Sequence, residues 1–63
     1  MRINGVEMTL SELSLSTLIE SQGYQCQRVV VEVNGLIVKQ NAYDSFWLNG
    51  DEVIEIVRFV GGG

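Results

Sequence analysis

The residues best suited to chemistry in this sequence are the three glycines at its end, Gly61, Gly62 and Gly63. Glycine has no side chain and wide backbone freedom, so this tail can add nothing to a folded core. A tail without side chains can enter a narrow active site of another protein and present its terminal carboxylate there. Adenylyl transfer from ATP would convert that carboxylate into a reactive mixed anhydride. We therefore expect a partner to perform the catalysis, and a merely frayed terminus is the alternative.

Other residue types that carry out catalysis are scarce. The chain has one cysteine, Cys26, and no histidine, so it cannot form an internal disulfide or a cysteine–histidine metal site. A lone cysteine is more often a small buried apolar residue than a nucleophile. Asp51 and Glu52 follow Asn49-Gly50, which indicates a turn and the start of a strand rather than an acid–base pair. We expect no catalytic residue, no metal ligand and no enzymatic activity in this chain.

Size and charge exclude further classes of function. A chain of 63 residues forms one small domain, too thin to enclose a typical substrate pocket. The formal net charge is −4, and the four basic residues are scattered along the sequence, which argues against a nucleic-acid partner. No apolar run is long enough to cross a bilayer, and the N-terminus lacks the apolar stretch of a signal peptide, so we expect a cytoplasmic protein.

Two of the three Asn-Gly pairs predict hairpins, because Asn-Gly supplies the positive φ angles of a tight turn, and the third, Asn49-Gly50, predicts the turn before the final strand. The first, Asn4-Gly5, is followed by Val6, Met8 and Leu10 in alternation with polar residues, which predicts a half-buried strand up to Leu10. The second, Asn34-Gly35, joins the β-branched run from residue 28 to 33 to the run from 36 to 39.

One amphipathic helix is predicted between the hairpins. Leu15, Leu18 and Ile19 have helical spacing. Ser14 or Ser16 can cap its N-terminus, and Gly23 can end it in a left-handed conformation. A final strand is predicted over residues 52–60. A sheet with this helix across one face buries all the apolar stripes, so we expect an α+β fold with residues 1–60 as the domain and 61–63 as a flexible tail.

The final strand is predicted to present two different faces. If Glu55 faces water, Val57 and Phe59 share its side, while Ile54 and Ile56 point to the core. Exposed Val57 and Phe59 beside the tail would form a docking surface for a partner. The alternative is that Phe59 folds against the sheet or is covered by residues 40–48. Three aromatic residues in that segment are predicted to close the core, namely Tyr43, Phe46 and Trp47. The alternative is an aromatic contact at a partner interface, where Trp and Tyr are enriched.

Three blocks of the sequence together match a known family. They are residues 1–5 (Met-Arg-Ile-Asn-Gly), residues 31–38 (Val-Glu-Val-Asn-Gly-Leu-Ile-Val), and residues 49–63, in which a Gly-Asp turn and an Ile/Val-rich strand lead into the glycines. On these blocks the whole chain resembles the ThiS family, the sulfur carrier proteins of thiamine biosynthesis. The resemblance implies a ubiquitin-like β-grasp fold, with a mixed sheet of four to five strands and one helix packed across one face.

The resemblance also implies a function for the tail. An E1-like adenylating enzyme (ThiF-like) would use ATP to adenylate Gly63, a sulfur donor system would convert the adenylate into a thiocarboxylate, and a thiazole synthase (ThiG-like) would receive the sulfur. Gly61 and Gly62 would thread the partner active sites. Residues 39–43 depart from the family pattern, which leaves the partner contacts of that segment open. A sulfur carrier for molybdopterin synthesis and a ubiquitin-like modifier are the alternatives.

Overall fold

The computed structural model describes residues 1–59 and contains one α-helix, seven strands and two short 3-10 helices (Cys26–Arg28 and Gln40–Ala42) in that range. The predicted domain end at residue 60 and the predicted tail 61–63 lie outside the described residues. The elements in chain order are β1 (Arg2–Ile3), β2 (Val6–Glu7), β3 (Leu13–Ser14), α1 (Leu15–Ser21), β4 (Val29–Val33), β5 (Leu36–Val38), β6 (Trp47–Leu48) and β7 (Val53–Arg58).

Five of the strands form one mixed sheet in the order β2-β1-β7-β4-β5. The β1–β7 pair is parallel and the other neighbours are antiparallel. The remaining strands, β3 and β6, pair with each other in a second, two-stranded sheet. The predicted α+β architecture, a ubiquitin-like β-grasp sheet with one helix on one face, is therefore confirmed.

The helix α1 forms as the sequence predicts. Ser14 is its N-cap, with Oγ accepting a hydrogen bond from the backbone N–H of Thr17 at 3.2 Å. Gly23 follows the helix with a φ of +87°, a conformation that side chains disfavour. The apolar stripe of the helix is completely buried against the sheet and consists of Leu15, Leu18 and Ile19. A helix of two turns depends on this packing for its stability.

The two predicted hairpin turns are also confirmed. Asn4 and Gly5 have φ angles of 50° and 82°, and Asn34 and Gly35 have φ angles of 53° and 84°. Positive φ at both central residues is typical of the tight turn whose twist matches that of the flanking strands. The turns set the register of β1 with β2 and of β4 with β5.

Two sequence predictions about individual side chains were wrong. The strand after Asn4-Gly5 ends at Glu7, and Val6 is exposed because β2 lies at the edge of the sheet, while Met8 and Leu10 pack against the core. Trp47 was predicted to close the core but is 61% exposed. Alternation along β6 sends Leu48 into the core, so its neighbour Trp47 faces solvent.

The other two aromatic residues of that segment do contribute to the core. Tyr43 is buried and its hydroxyl donates a hydrogen bond to the Val29 carbonyl at 3.2 Å, and Phe46 is partly buried against the core. Across residues 1–59, no helix is long and apolar enough to span a membrane.

Candidate functional site

The strand that leads to the C-terminus, β7, lies in the middle of the five-stranded sheet. It pairs with β1 on one side and with β4 on the other. The pairing continues past the end of the strand, since the Phe59 N–H donates a hydrogen bond to the Arg28 carbonyl at 2.8 Å. The backbone is thus held in the sheet up to Phe59, the last residue that the structure describes.

The asparagines of the two hairpin turns hold β7 in place through their side chains. The Oδ1 atom of Asn4 accepts a hydrogen bond from the Ile56 N–H at 2.7 Å, just beyond the end of β1. The Oδ1 atom of Asn34 accepts one from the Val53 N–H at 2.9 Å. Sequence reasoning assigned these residues to turns alone and missed this second role, because the contact joins positions far apart in the sequence.

The two faces of β7 differ as predicted. Ile54 and Ile56 are buried in the core, whereas Val57 and Phe59 are 60% and 55% exposed. The prediction that these two side chains reach solvent is confirmed, and their role in docking a partner stays a prediction. Phe59 is not covered by residues 40–48, although it lines one side of a groove beside that segment.

Neighbouring strands extend this apolar surface, which we call the open face. Val30 is directly opposite Val57 in the β4–β7 register and is partly exposed. Ile37 on β5 is exposed and lines, together with Val30 and Phe59, a groove of about 200 Å³. The sequence pattern of β5 gave no sign of this, because a run of three apolar residues does not show which of them faces solvent.

The remaining candidates for chemistry have structural roles. Burial raises the pKa of the Cys26 thiol, and the carboxylates of Glu20 and Asp44 raise it further, which disfavours the reactive thiolate. The Glu52 carboxylate accepts hydrogen bonds from the N–H groups of Asn49 and Gly50 at 2.9 and 3.0 Å and so holds the turn before β7. Residues 1–59 contain no group of three or more potential metal-ligating side chains.

The glycines predicted to carry the chemistry, Gly61, Gly62 and Gly63, lie outside the described residues. The structure therefore describes the strand that precedes them in the sequence and the surface around Phe59. The arrangement up to Phe59 is a rigid strand with an apolar open face, and it contains no constellation of catalytic residues. Such an exposed apolar surface is suited to binding another protein.

Comparison with solved structures identifies close relatives of the fold. The crystal structure of the thiamine biosynthesis protein (ThiS) from Geobacter metallireducens superposes with a TM-score of 0.80 at 27% sequence identity, and the match covers 98% of this chain and 96% of the other. The solution structure of a thiamine biosynthesis protein from the same organism gives a TM-score of 0.78, with 98% and 85% of the two chains covered.

Sequence comparison finds relatives of two kinds. The chain is 32% identical to a protein named uncharacterized protein ycf40 from Porphyra purpurea, over 98% of this chain and 89% of that protein. It is 36% identical to a thiazole synthase from Paramagnetospirillum magneticum, over 97% of this chain but only 19% of the synthase.

The family comparison covers the chain from end to end. The profile of the ThiS family matches residues 1–63, including the glycines that follow β7. The match agrees with the topology of the sheet and with the structural neighbours. This chain belongs to the ThiS family.

Proposed function

We propose that this protein is a sulfur carrier of thiamine synthesis, whose terminal carboxylate on Gly63 is adenylated and then converted into a thiocarboxylate. The observation that carries the proposal is the family match over residues 1–63, which includes the glycine end. A role in thiamine synthesis is supported by the thiamine biosynthesis protein among the structural neighbours.

The proposed chemistry takes place in the active sites of partners. In an E1-like enzyme, a carboxylate oxygen of Gly63 attacks the α-phosphorus of ATP and pyrophosphate leaves. Hydrosulfide (HS⁻) from a donor system then attacks the carbonyl carbon of the adenylate, AMP leaves with the bonding electrons, and the S–H proton is lost to solvent. The resulting thiocarboxylate donates its sulfur for thiazole formation. ATP is thus a substrate of the partner, and this chain supplies only the carboxylate that is modified.

The second partner in this proposal is a thiazole synthase. Nearly the whole of this chain matches a segment that makes up 19% of a thiazole synthase in another organism. The presence of such a domain in the same polypeptide as a thiazole synthase supports the pairing of a carrier with a synthase. A separate carrier must reach the synthase active site by docking, which gives the exposed Val57 and Phe59 a role in binding.

A mass measurement tests the proposal. The purified protein is incubated with ATP, an E1-like adenylating enzyme from the same genome and a sulfur donor, and its intact mass is then determined. We expect the mass increase that corresponds to exchange of one oxygen for one sulfur, and we expect no change when ATP is omitted.

A truncated chain is the matched control. Removal of Gly62 and Gly63 deletes the modified end, and we expect the truncated protein to fold normally and to keep its original mass. An unchanged mass of the full chain under these conditions, with an enzyme that activates a known carrier, would contradict the proposal.

A further inference from the structure

Three of the four basic residues, scattered in the sequence, lie near the end of β7 in the fold, where two of them line one cleft and the third lines a groove with Phe59. Arg58 precedes Phe59 in the chain, and the Arg28 carbonyl accepts a hydrogen bond from the Phe59 N–H. Lys39 follows β5 directly and lines the same groove as Phe59. We call Arg28, Lys39 and Arg58 the basic collar. Its members line two neighbouring clefts at the end of β7, in a protein whose net charge is −4.

The guanidinium of Arg58 is held in position by a chain of contacts. It lies over the ring of Tyr24, 4.9 Å from the ring centroid, in the geometry of a cation–π interaction. The Tyr24 hydroxyl accepts a hydrogen bond from Nδ2 of Asn4 at 3.4 Å, and Asn4 is itself bonded to the backbone of β7. The side chain of Arg58 is therefore tied back to the strand on which it lies.

The positive charge of the basic collar has no internal partner in the described part of the chain. The salt bridges there join Glu7 to the N-terminus of the chain and to Arg2, and neither involves the collar. Arg28 and Arg58 together line an open cleft of about 260 Å³, with Gly23 and Gln25 on its other sides. Two arginines thus offer positive charge at one open cleft at the end of β7.

We propose that the basic collar binds carboxylate side chains of the partner protein at the mouth of the channel that receives the glycine tail. This inference rests on the proposed function, because it names the charged residues through which the carrier would bind the partner that modifies its tail. A guanidinium binds a carboxylate through two parallel hydrogen bonds, which fixes direction as well as distance. Contacts on several sides of Phe59 would aim the tail into the channel before chemistry begins.

The chemistry of the surroundings favours carboxylates on a protein over other anions. The collar side chains are exposed, and residues 1–59 include no buried charged or polar side chain that would build a closed site for a small ion. A nucleic acid would meet the eight acidic residues of the rest of the chain. A partner surface needs negative charge only at the channel mouth, which matches the local extent of the collar.

Kinetics of tail activation by the E1-like enzyme test the inference. The double variant Arg28→Gln/Arg58→Gln is compared with the native protein by ATP–pyrophosphate exchange, at low and at high salt. We expect KM for the carrier to rise on the order of tenfold at low salt, with kcat unchanged, because two exposed charge pairs are lost. The difference should shrink at high salt, where exposed charges are screened.

Matched variants separate the collar from general charge effects. Arg2→Gln also removes one positive charge, but Arg2 lies near Glu7 and pairs with Val53 at the other end of β7. We expect Arg2→Gln to leave KM within about twofold of the native value, whereas Arg58→Gln alone raises it about fivefold. The variant Arg28→Lys/Arg58→Lys keeps both charges but loses the paired hydrogen bonds, so we expect its KM to lie between those of the native protein and the double glutamine variant. Thermal unfolding checks that every variant is folded.

Each result bears on one of the two proposals. A native protein that is never activated would overturn the proposed function and this inference together. Activation of the native protein with an unchanged KM in the double variant would overturn the inference alone. A fall of KM in the double variant would also overturn the inference, because the arginines would then hold back the chain's own carboxylate. The inference would equally be overturned if inorganic phosphate added to the free protein competes with activation only when both arginines are present.

Discussion

The two faces of β7 are built from the same kinds of residue but behave in opposite ways. Ile54 and Ile56 are buried under α1, whereas Val53, Val57 and Phe59 face solvent. The helix α1 packs on only one side of the sheet, so apolar residues on the other side add little to folding stability. An apolar surface that the fold does not need is typical of a site that binds another protein. The comparison therefore separates residues that maintain the fold from residues that we expect to serve the partners.

The largest expected effect is on the buried face. Ile54→Ala removes a completely buried side chain from the centre of the core, and we expect it to lower the free energy of unfolding by about 2–5 kcal/mol. Val53→Ala, on the neighbouring position and the opposite face, should change it by no more than about 0.5 kcal/mol. Urea denaturation followed by circular dichroism measures both variants. Equal losses would contradict the assignment of the two faces.

The next prediction concerns the open face. Phe59→Ser should leave the free energy of unfolding within about 0.5 kcal/mol of the native value, because the side chain is already half exposed. We expect it to raise KM for activation by the E1-like enzyme on the order of tenfold, as loss of an aromatic anchor does at interfaces. The control is Leu36→Ser, since Leu36 is 74% exposed at the turn end of β5. Leu36 lies on the other side of the sheet, opposite buried Val33, so a similar effect of both variants would show that activation does not depend on the open face in particular.

Much of the fold could be predicted from local patterns. The Asn-Gly turns, the Ser14 cap and the left-handed Gly23 each depend on residues close in sequence, and all three were found. The direction of the β7 side chains followed from the period of a strand. Local preferences and the final structure agree at these positions, as expected where local and tertiary interactions favour the same conformation.

The rest depended on contacts between distant parts of the chain. The exposure of Trp47 follows from the pairing of β6 with β3, and strands of two residues leave no readable pattern. The hydrogen bond from Ile56 to Asn4 joins residues that are 52 positions apart. The basic collar could not be inferred from spacing either, because Arg28, Lys39 and Arg58 lie on different segments that meet only in the folded sheet.

A smaller effect is expected at the turn that begins β7. Burial alone would raise the pKa of the Glu52 carboxyl. Hydrogen bonds from the backbone, including those from the N–H groups of Asn49 and Gly50, outweigh burial and hold the pKa below its usual value of 4.5. A lowered pKa in the folded state stabilises the protein above the unfolded pKa, and this contribution is lost as the pH falls through the folded pKa. We expect Glu52→Gln to lower the free energy of unfolding by about 1 kcal/mol at neutral pH.

The pH dependence checks this assignment. The stability difference between the native protein and Glu52→Gln should be constant near neutral pH and should shrink below about pH 4.5, as the carboxylate becomes protonated. Denaturation curves recorded across this acid range measure it. A difference that does not change with pH would mean that the charge of Glu52 does not stabilise the turn.

The smallest expected effect tests whether the open face is optimised for stability. Glu32 and Glu55 are directly opposite each other in the β4–β7 register, and both are exposed. Like charges in such a pair destabilise a sheet, so Glu32→Lys should increase the free energy of unfolding by about 0.2–1 kcal/mol, and less at high salt. Glu12→Lys makes the same charge change away from any cross-strand carboxylate and should have a smaller effect. An equal gain from both variants would assign the effect to net charge, whereas a gain from Glu32→Lys alone would show that the open face retains a pair of residues that opposes folding.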